Sequence, residues 1–349
     1  MELLKQLYAI HAHSGQEKGI RKFIKRYITD NIPAADICCD KLGNMYVTKG
    51  ISETYPCVVA HLDQVQRIHS KDFRAIETQD IIFGYSSSNR RQEGLGADDK
   101  NGIWVALKCL MKNKALKVAF FVGEEVGCVG SSAADLSFFE NCRFVIEPDR
   151  RGYNDLITEI SWTSLCSEKF LSDTQFKQFA YKQADGLMTD IEVLRERGLA
   201  ISCINLSCGY YEPHTDCEFT VKRDLLNCLD FVQHIIERCT DVYAYEPQEF
   251  SRGYYCGDDS FMEDELFEMM MEHPDYTADD MWDAYQTNFP GFSREDFIAM
   301  YEECAFAYDI DIPKPKSKKK SSTKKENSTK EYIYFTKKQS PKDARQINF

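Results

Sequence analysis

The hydrophobic residues of this chain fall into two kinds of run that alternate along it. Short continuous apolar runs predict strands that are covered on both faces, as in a parallel sheet. Segments with apolar residues every three or four positions predict helices. The strand-like runs are residues 57–60, 118–122, 144–146 and 201–206, and the helix-like runs are 1–28 with a break at Ser14-Gly15, 101–111, 170–182, 190–197 and 225–237. This alternation predicts an open α/β sheet.

Two further segments have the pattern of hairpins. Gly43-Asn44 lies between two extended-looking runs, and residues 81–85 resemble a strand that ends at the polar loop 86–93. Glycine and asparagine favour the backbone conformations of tight turns. We therefore expect both segments at the edge of the sheet.

The pattern changes after Tyr243. Residues 263–271, 279–285 and 295–303 have apolar positions at helical spacing, with Thr277 and Ser293 placed as N-caps. The Lys-rich stretch that follows lacks the apolar residues needed for a core. The sequence thus predicts a large α/β domain over 1–242, a small all-α acidic module over 243–312 and a disordered tail over 313–349.

The net charge of −13 is distributed unevenly. Residues 313–349 carry 12 Lys or Arg and 3 acids, whereas residues 241–312 carry 2 Arg and 20 acids. The first 240 residues, with 29 basic and 33 acidic side chains, are nearly neutral. Since only the tail could attract nucleic acid, we expect no nucleic-acid function, and a protein partner of the C-terminal region stays an alternative.

The first 25 residues have scattered charges and no continuous apolar stretch. This pattern predicts neither a signal peptide nor a membrane helix, so we expect a cytoplasmic protein that does not associate with membranes. The 14 cysteines form no Cys-x-x-Cys pair. Reduced packing thiols are therefore expected rather than a disulfide framework.

Five short motifs with acidic or histidine residues lie at or just beyond the predicted elements. One opens a helix and the others follow strands. Because reactive side chains of an open α/β sheet gather outside the carboxyl ends of its strands, we expect these motifs to converge on one crevice. They are His61-Leu62-Asp63, Ala97-Asp98-Asp99-Lys100, Gly123-Glu124-Glu125, Glu147-Pro148-Asp149 and Pro213-His214.

The residue types in these motifs suit a centre of divalent metal ions. His61 and Asp63 share one face of an extended chain, so the carboxylate can orient the imidazole. Two adjacent buried carboxylates at Glu124-Glu125 would repel, and metal binding relieves this if one ligates and the other acts as a general base. Taken singly, the motifs have plainer interpretations, such as a solvated turn, a surface ion pair or a loop histidine.

The glycines before Asp98 suggest a second interpretation, a dinucleotide-binding loop. The third glycine of that fingerprint is missing, and two acids stand where phosphate would sit. We therefore interpret Gly94 and Gly96 as residues that let the loop pass close to an ion.

Taken together, the motifs resemble the co-catalytic di-zinc exopeptidases, the superfamily of peptidase T, zinc aminopeptidases, carboxypeptidase G and the aminoacylases. The resemblance covers nearly all of residues 1–240, and the ordered set is far more specific than any single motif. It implies a three-layer α/β sandwich with a mixed, mostly parallel central sheet. It also implies that His61 and Asp149 hold one zinc ion, Glu125 and His214 hold the other, and Asp98 bridges the two.

The resemblance assigns two further roles, Asp63 as the residue that orients His61 and Glu124 as the general base. Some relatives use the Glu of a Glu-Pro pair as the third acidic ligand, so Glu147 is an alternative to Asp149. Co²⁺ or Mn²⁺ could replace zinc. Only 64 residues separate Asp149 from His214, too few for the inserted dimerisation domain of peptidase T, so we expect a catalytic domain without that lid.

These features predict a zinc-dependent exopeptidase that cleaves a terminal peptide bond of short peptides, of aminopeptidase or tripeptidase type. Arg150 or Arg151 could bind a substrate carboxylate, although both could equally be surface arginines. The first alternative is an amidohydrolase acting on N-acyl amino acids with the same metal centre. The second is an inactive hydrolase domain that serves as an interaction protein.

Overall fold

The computed structural model describes residues 1–160, 163–245, 266, 269–270, 273, 276–286, 293–307 and 313. The chain divides into two compact units, Met1–Gly253 and Tyr254–Phe349. The helices of the first unit are α1 (Glu2–Tyr8), α2 (Lys18–Asn31), α3 (Ala97–Lys112), α4 (Val129–Ser132), α5 (Glu168–Thr174), α6 (Asp190–Glu196) and α7 (Lys222–Arg238), with 3₁₀ helices at Leu136–Phe139 and Phe176–Phe179.

The strands of the first unit form two sheets. They are β1 (Ala35–Cys39), β2 (Met45–Lys49), β3 (Tyr55–His61), β4 (Phe73–Glu77), β5 (Ile81–Ser86), β6 (Arg91–Gln92), β7 (Leu116–Phe121), β8 (Cys142–Arg150), β9 (Asp155–Ile160), β10 (Thr163–Ser164), β11 (Lys182–Gly186), β12 (Cys203–Ser207), β13 (Tyr210–Tyr211) and β14 (Phe219–Val221).

The main sheet has nine strands in the order β1-β2-β7-β3-β8-β12-β9-β10, with β11 beside β9. Its centre consists of β7, β3, β8 and β12, which run parallel to one another. Antiparallel strands β2 and β9 flank this centre. The carboxyl ends of the four central strands therefore meet at one edge of the sheet.

Helices cover both faces of this sheet, which confirms the predicted three-layer α/β fold. Alternate residues of β3 show the two faces. Val58 and Ala60 pack in one core with α1, α2, α3 and α7. Cys57 and Val59 pack in a second core with α6. Strand β3 is buried along its whole length, as its continuous apolar pattern predicts.

A second, five-stranded sheet was not predicted. It has the order β13-β14-β5-β4, with β6 beside β5. Residues 81–85 do form a strand, but it lies in this second sheet and not at the edge of the main one. Gly43-Asn44 does lie in an edge hairpin, in the loop that connects β1 to its antiparallel partner β2.

The predicted helix over 170–182 is wrong in its second half. Helix α5 ends at Thr174, a 3₁₀ helix follows, and strand β11 begins at Lys182. Gln175 and Ala180 have positive φ angles of 52° and 62°. Left-handed residues of this kind end a helix even where the apolar spacing continues.

In the second unit, the predicted helical pattern over 279–285 and 295–303 corresponds to α8 (Ala278–Tyr285) and α9 (Arg294–Ala307). Thr277 caps α8 through a reciprocal capping box with Asp280. Most of the predicted helix over 263–271 and all of the tail after residue 313 lie outside the described residues. Tyr243 and Ala244 belong to the first unit, because Tyr243 is buried against Phe170 and Ala244 forms a bridge with Ile201.

Among the described residues, no helix combines the length and the apolar content that a bilayer span requires. Every described cysteine is free.

Candidate metal centre

The carboxyl ends of the central strands bring the predicted residues into one crevice. His61 is the last residue of β3, and Glu124 and Glu125 follow β7 after a short turn. Asp149 is the penultimate residue of β8. Strand β12 leads through β13 to the loop of His214. Strand order thus juxtaposes residues that are up to 153 positions apart in the chain.

A first group of possible metal ligands consists of His61, Asp98 and Asp149, each with a ligand atom within 4.8 Å of the others. Nε2 of His61 lies 2.9 Å from Oδ1 of Asp98 and 3.7 Å from Oδ1 of Asp149. His61 and Asp98 are buried, and Asp149 is half-buried. Tyr210 donates a 3.4 Å hydrogen bond to the same oxygen of Asp149.

A second group consists of Asp98, Glu125 and His214. Nε2 of His214 lies 3.1 Å from Oε2 of Glu125 and 3.4 Å from Oδ2 of Asp98. Asp98 therefore presents one carboxylate oxygen to each histidine. This is the geometry that a bridging carboxylate between two cations requires.

Asp63 lies behind the first group. Its Oδ1 is 3.4 Å from Nδ1 of His61, and its carboxylate accepts hydrogen bonds from the backbone N–H groups of Glu124 (3.0 Å) and Glu125 (3.3 Å). The Ser14 hydroxyl donates a 2.7 Å hydrogen bond to Oδ2. Asp63 thus contacts the imidazole and fixes the turn that carries both glutamates.

Glu124 is close to the first group but belongs to neither. Its Oε2 lies 3.9 Å from Nε2 of His61, and its side chain is 14% exposed. The side chain of Glu125 is turned to His214 instead. The two adjacent glutamates therefore occupy different positions, one beside the candidate ligands and one among them.

The structure places the alternative acid Glu147 away from both groups. Glu147 is fully buried, and its Oε2 accepts hydrogen bonds from Thr189 (2.5 Å) and from the backbone N–H of Ile191 (3.4 Å). Asp149, two residues further along β8, lies in the first group. The geometry therefore favours Asp149 as the third acid.

The two arginines after Asp149 differ in their contacts and exposure. Nε of Arg150 is 3.4 Å from a carboxylate oxygen of Asp155. The side chain of Arg151 is exposed. The remaining described histidines belong to neither group; His69, for example, stacks on Phe73 at a centroid distance of 4.0 Å.

The glycines before Asp98 lie against neighbouring protein segments. A Cβ on Gly94 would meet Gln66 and the backbone of Thr215 at 2.6 Å, and a Cβ on Gly96 would meet the Gln64 side chain at 2.7 Å. Both distances are too short for any side chain. The glycines allow the loop to pack between neighbouring protein segments.

Sequence reasoning missed the polar residues beneath this loop. Glu218, Gln64 and Gln66 had no assigned role, and Lys100 was noted only as part of a motif. Lys100 is buried and donates hydrogen bonds to Gln64 and to the Leu95 carbonyl.

Burial and neighbouring charges shift the pKa values of the candidate ligands. Burial, together with the charge of Asp98, raises the pKa of Asp149 to about 8. Hydrogen bonds to Asp98 and Glu125 raise the pKa of His214 to about 11. Burial raises the pKa of Glu124 well above its ordinary value. Burial would also raise the pKa of Asp98, but hydrogen bonds from His214 and His61 hold it below its usual range.

The donor set fits a pair of divalent cations. Asp98, Glu125 and Asp149 are crowded carboxylates whose mutual repulsion a cation would relieve. Oε1 of Glu125 is buried and has no hydrogen-bond partner among the residues that the structure describes. Mixed imidazole and carboxylate donors suit zinc and similar ions.

Metal affinity should rise with pH. At pH 7 the metal-free protein holds a proton on Asp149, whose pKa is about 8, and on His214, whose pKa is about 11. Ligands must lose their protons to bind a metal. We expect proton release on zinc binding and a Kd that falls about tenfold per pH unit for each proton released between pH 6 and 8. Calorimetry in buffers of different ionisation enthalpy measures this, and a pH-independent Kd would contradict it.

The chain matches no family model and no curated protein sequence. Its fold is nevertheless found among solved structures. Aminopeptidase PepT from Bacillus cereus has a TM-score of 0.53 and 15% identity, covering 68% of this chain and 97% of that one. A tripeptidase from Staphylococcus aureus has a TM-score of 0.52 and 14% identity, covering 67% and 96%. Aminopeptidase APDkam598 from Desulfurococcus kamchatkensis has a TM-score of 0.51 and 16% identity, covering 68% and 94%. In its fold, this chain is therefore similar to these peptidases.

Proposed function

We propose that this protein is a metal-dependent exopeptidase that hydrolyses a terminal peptide bond of short peptides with two zinc ions. One observation carries the proposal: the Asp98 carboxylate lies 2.9 Å from His61 through one oxygen and 3.4 Å from His214 through the other. The proteins of similar fold support it, since they are aminopeptidases and a tripeptidase.

Under this proposal, His61 and Asp149 hold one ion, Glu125 and His214 hold the other, and Asp98 holds both. When bound, the ions would supply Lewis-acid polarisation of the peptide carbonyl and would lower the pKa of water. Co²⁺ or Mn²⁺ could take the same positions.

The protein's own proton transfer rests on Glu124. Glu124 belongs to neither of the two ligand groups, and its carboxylate lies beside the first. It is therefore free to accept a proton from the attacking water and to deliver it to the leaving amine. Asp63 keeps Nε2 of His61 directed at the site by its contact with Nδ1. The same carboxylate anchors the backbone of Glu124, which holds the base in place.

A substrate carboxylate would be bound by Arg151 rather than Arg150. Arg150 is engaged by Asp155, whereas Arg151 is exposed. Amidated peptides should then be cleaved more slowly than the free acids. Equal rates of cleavage for amidated and free-acid peptides would contradict this role of Arg151.

The decisive experiment combines metal analysis of the purified protein with a panel of dipeptides, tripeptides and N-acyl amino acids. We expect two equivalents of metal and hydrolysis of the peptides. Turnover of the N-acyl amino acids alone would establish an amidohydrolase instead. A protein that binds metal but hydrolyses neither set would contradict the proposed activity.

Replacing His214 with alanine should remove one of the two ions. The substitution leaves the second group with only Asp98 and Glu125, while the first group keeps its three ligands. We expect about one equivalent of metal and a loss of kcat of about 10²-fold or more. Cys217→Ser is the matched control, because Cys217 is exposed on the same loop and belongs to neither group. Two retained equivalents in His214→Ala would contradict the assignment.

A further inference from the structure

Glu218 is a buried carboxylate to which the proposed mechanism gives no role. Its side chain is inaccessible to solvent. Oε2 accepts hydrogen bonds from the backbone N–H of Gly96 (2.7 Å) and from Nε2 of Gln66 (3.3 Å), and Oε1 accepts one from the backbone N–H of Asp98 (3.2 Å). An ionised carboxylate only accepts hydrogen bonds. Three N–H donors converge on it.

We propose that Glu218 is a positioning residue that holds the bridging carboxylate of Asp98 between the two metal-binding groups. This inference rests on the proposed metal centre and concerns a residue whose carboxylate contacts the candidate ligand Asp98 through the backbone N–H of that ligand. Glu218 acts on the backbone of Asp98.

The backbone at Asp98 needs such an anchor. Asp98 has φ −77° and ψ 102°, and Asp99 has φ −116° and ψ 40°, so neither follows the helical conformation of the rest of α3. The N–H of Asp98 is therefore not held by the helix. Glu218 binds this N–H and that of Gly96, one on each side of Ala97. The two bonds fix the direction in which the Asp98 side chain leaves the loop.

Close packing leaves the loop no alternative path. At Gly96 the loop passes over Gln64, and at Gly94 it passes between Gln66 and Thr215. At both glycines, an added Cβ would lie too close to these neighbours. Thr215 directly follows His214. Glu218 lies on that same segment, so a single carboxylate connects the loop of the second histidine to the loop of the bridging acid.

A chain of hydrogen-bonded side chains, of which Gln64 and Lys100 are buried and Gln66 is half-buried, leads away from Glu218. Gln66 donates to Glu218 and accepts a 3.0 Å hydrogen bond from Gln64. Gln64 in turn accepts a hydrogen bond from Lys100, which also donates to the carbonyl of Leu95. Burial raises the pKa of Glu218 to about 8, while the bonds from the backbone N–H groups of Asp98 and Gly96 and the charge of Lys100 act in the opposite direction, towards the ionised form. Networks in which every member has a partner hold a geometry rigidly.

The test compares two variants that separate charge from geometry. Glu218→Gln keeps the size but places an NH₂ group where N–H donors converge. Glu218→Asp keeps the charge beside Lys100 but is one methylene too short to reach both backbone groups. We expect both variants to bind Zn²⁺ about 10- to 100-fold more weakly than the wild type. We also expect both to alter the absorption spectrum of the Co²⁺-loaded protein. Glu212→Gln, exposed on the same loop, is the control and should match the wild type.

The outcomes distinguish this inference from the proposed function. If the wild type binds two ions and both Glu218 variants match it in affinity and spectrum, the positioning role is wrong and the metal centre stands. If Glu218→Asp matches the wild type and only Glu218→Gln is impaired, charge alone matters and the positioning role is again wrong. If the wild type binds no divalent ion, the proposed function and this inference fall together. Thermal unfolding of the metal-free proteins identifies any loss of affinity that comes from misfolding.

Discussion

Replacing Glu124 with glutamine should lower kcat by about 10²- to 10⁴-fold, the range typical for loss of a general acid or base. The amide has the shape of the carboxylate but cannot accept the proton of the attacking water. Because Glu124 belongs to neither ligand group, the variant should keep two equivalents of metal. Steady-state kinetics and metal analysis on the same preparation measure both quantities.

The control for this variant is Glu140→Gln, which makes the same chemical change at an exposed position. It should retain full activity. A Glu124→Gln protein with wild-type kcat would exclude the general-base role. A variant that loses its metal would show that Glu124 is a ligand and would require a different assignment of the second glutamate.

Replacing Asp98 with asparagine should remove both ions. Among the described residues, Asp98 is the carboxylate that occurs in both ligand groups. Its loss leaves His61 with Asp149 and His214 with Glu125, and two ligands hold an ion weakly. We expect kcat to fall by at least 10²- to 10³-fold, which is about the loss caused by removing one group that stabilises charge in the transition state. Metal analysis after dialysis gives the stoichiometry.

A comparison with Asp149→Asn makes this prediction specific. Asp149 occurs in the first group only, so that variant should keep about one equivalent of metal, whereas Asp98→Asn should keep none. Asp36→Asn, on the exposed edge strand, controls for the change of charge. Equal stoichiometry in the Asp98 and Asp149 variants would show that Asp98 does not bridge the two positions.

The sequence predicted the part of the fold that has a strong local signal. Continuous apolar runs correspond to β3, β7, β8 and β12, because strands covered on both faces need no polar positions. Most of the candidate ligands could be predicted for the same reason, since His61, Glu125, Asp149 and His214 lie at or beyond such a run, whereas Asp98 opens a helix. The second sheet could not be predicted, because its strands are short and β6 and β13 have only two residues each.

The supporting residues of the site were missed because their partners are distant in the chain. Glu218 bonds to Gly96 and Asp98 across 122 and 120 positions. No local pattern marks a glutamate for such a contact. The close packing at the glycines before Asp98 could not be predicted for the same reason, since their neighbours Gln64 and Thr215 are known only once the chain has folded.

The two candidate histidines differ greatly in accessibility: the side chain of His61 is 0% exposed, whereas that of His214 is 54% exposed. Under the proposed assignment, an ion held by His214 would exchange with solvent quickly, and an ion held by His61 would exchange slowly. A chelator would then strip the protein in two kinetic phases. A mixed-metal enzyme could then be prepared before the slow phase is complete. In it, the ion held by His61 is kept and the ion held by His214 is replaced by a metal that serves as a spectroscopic probe.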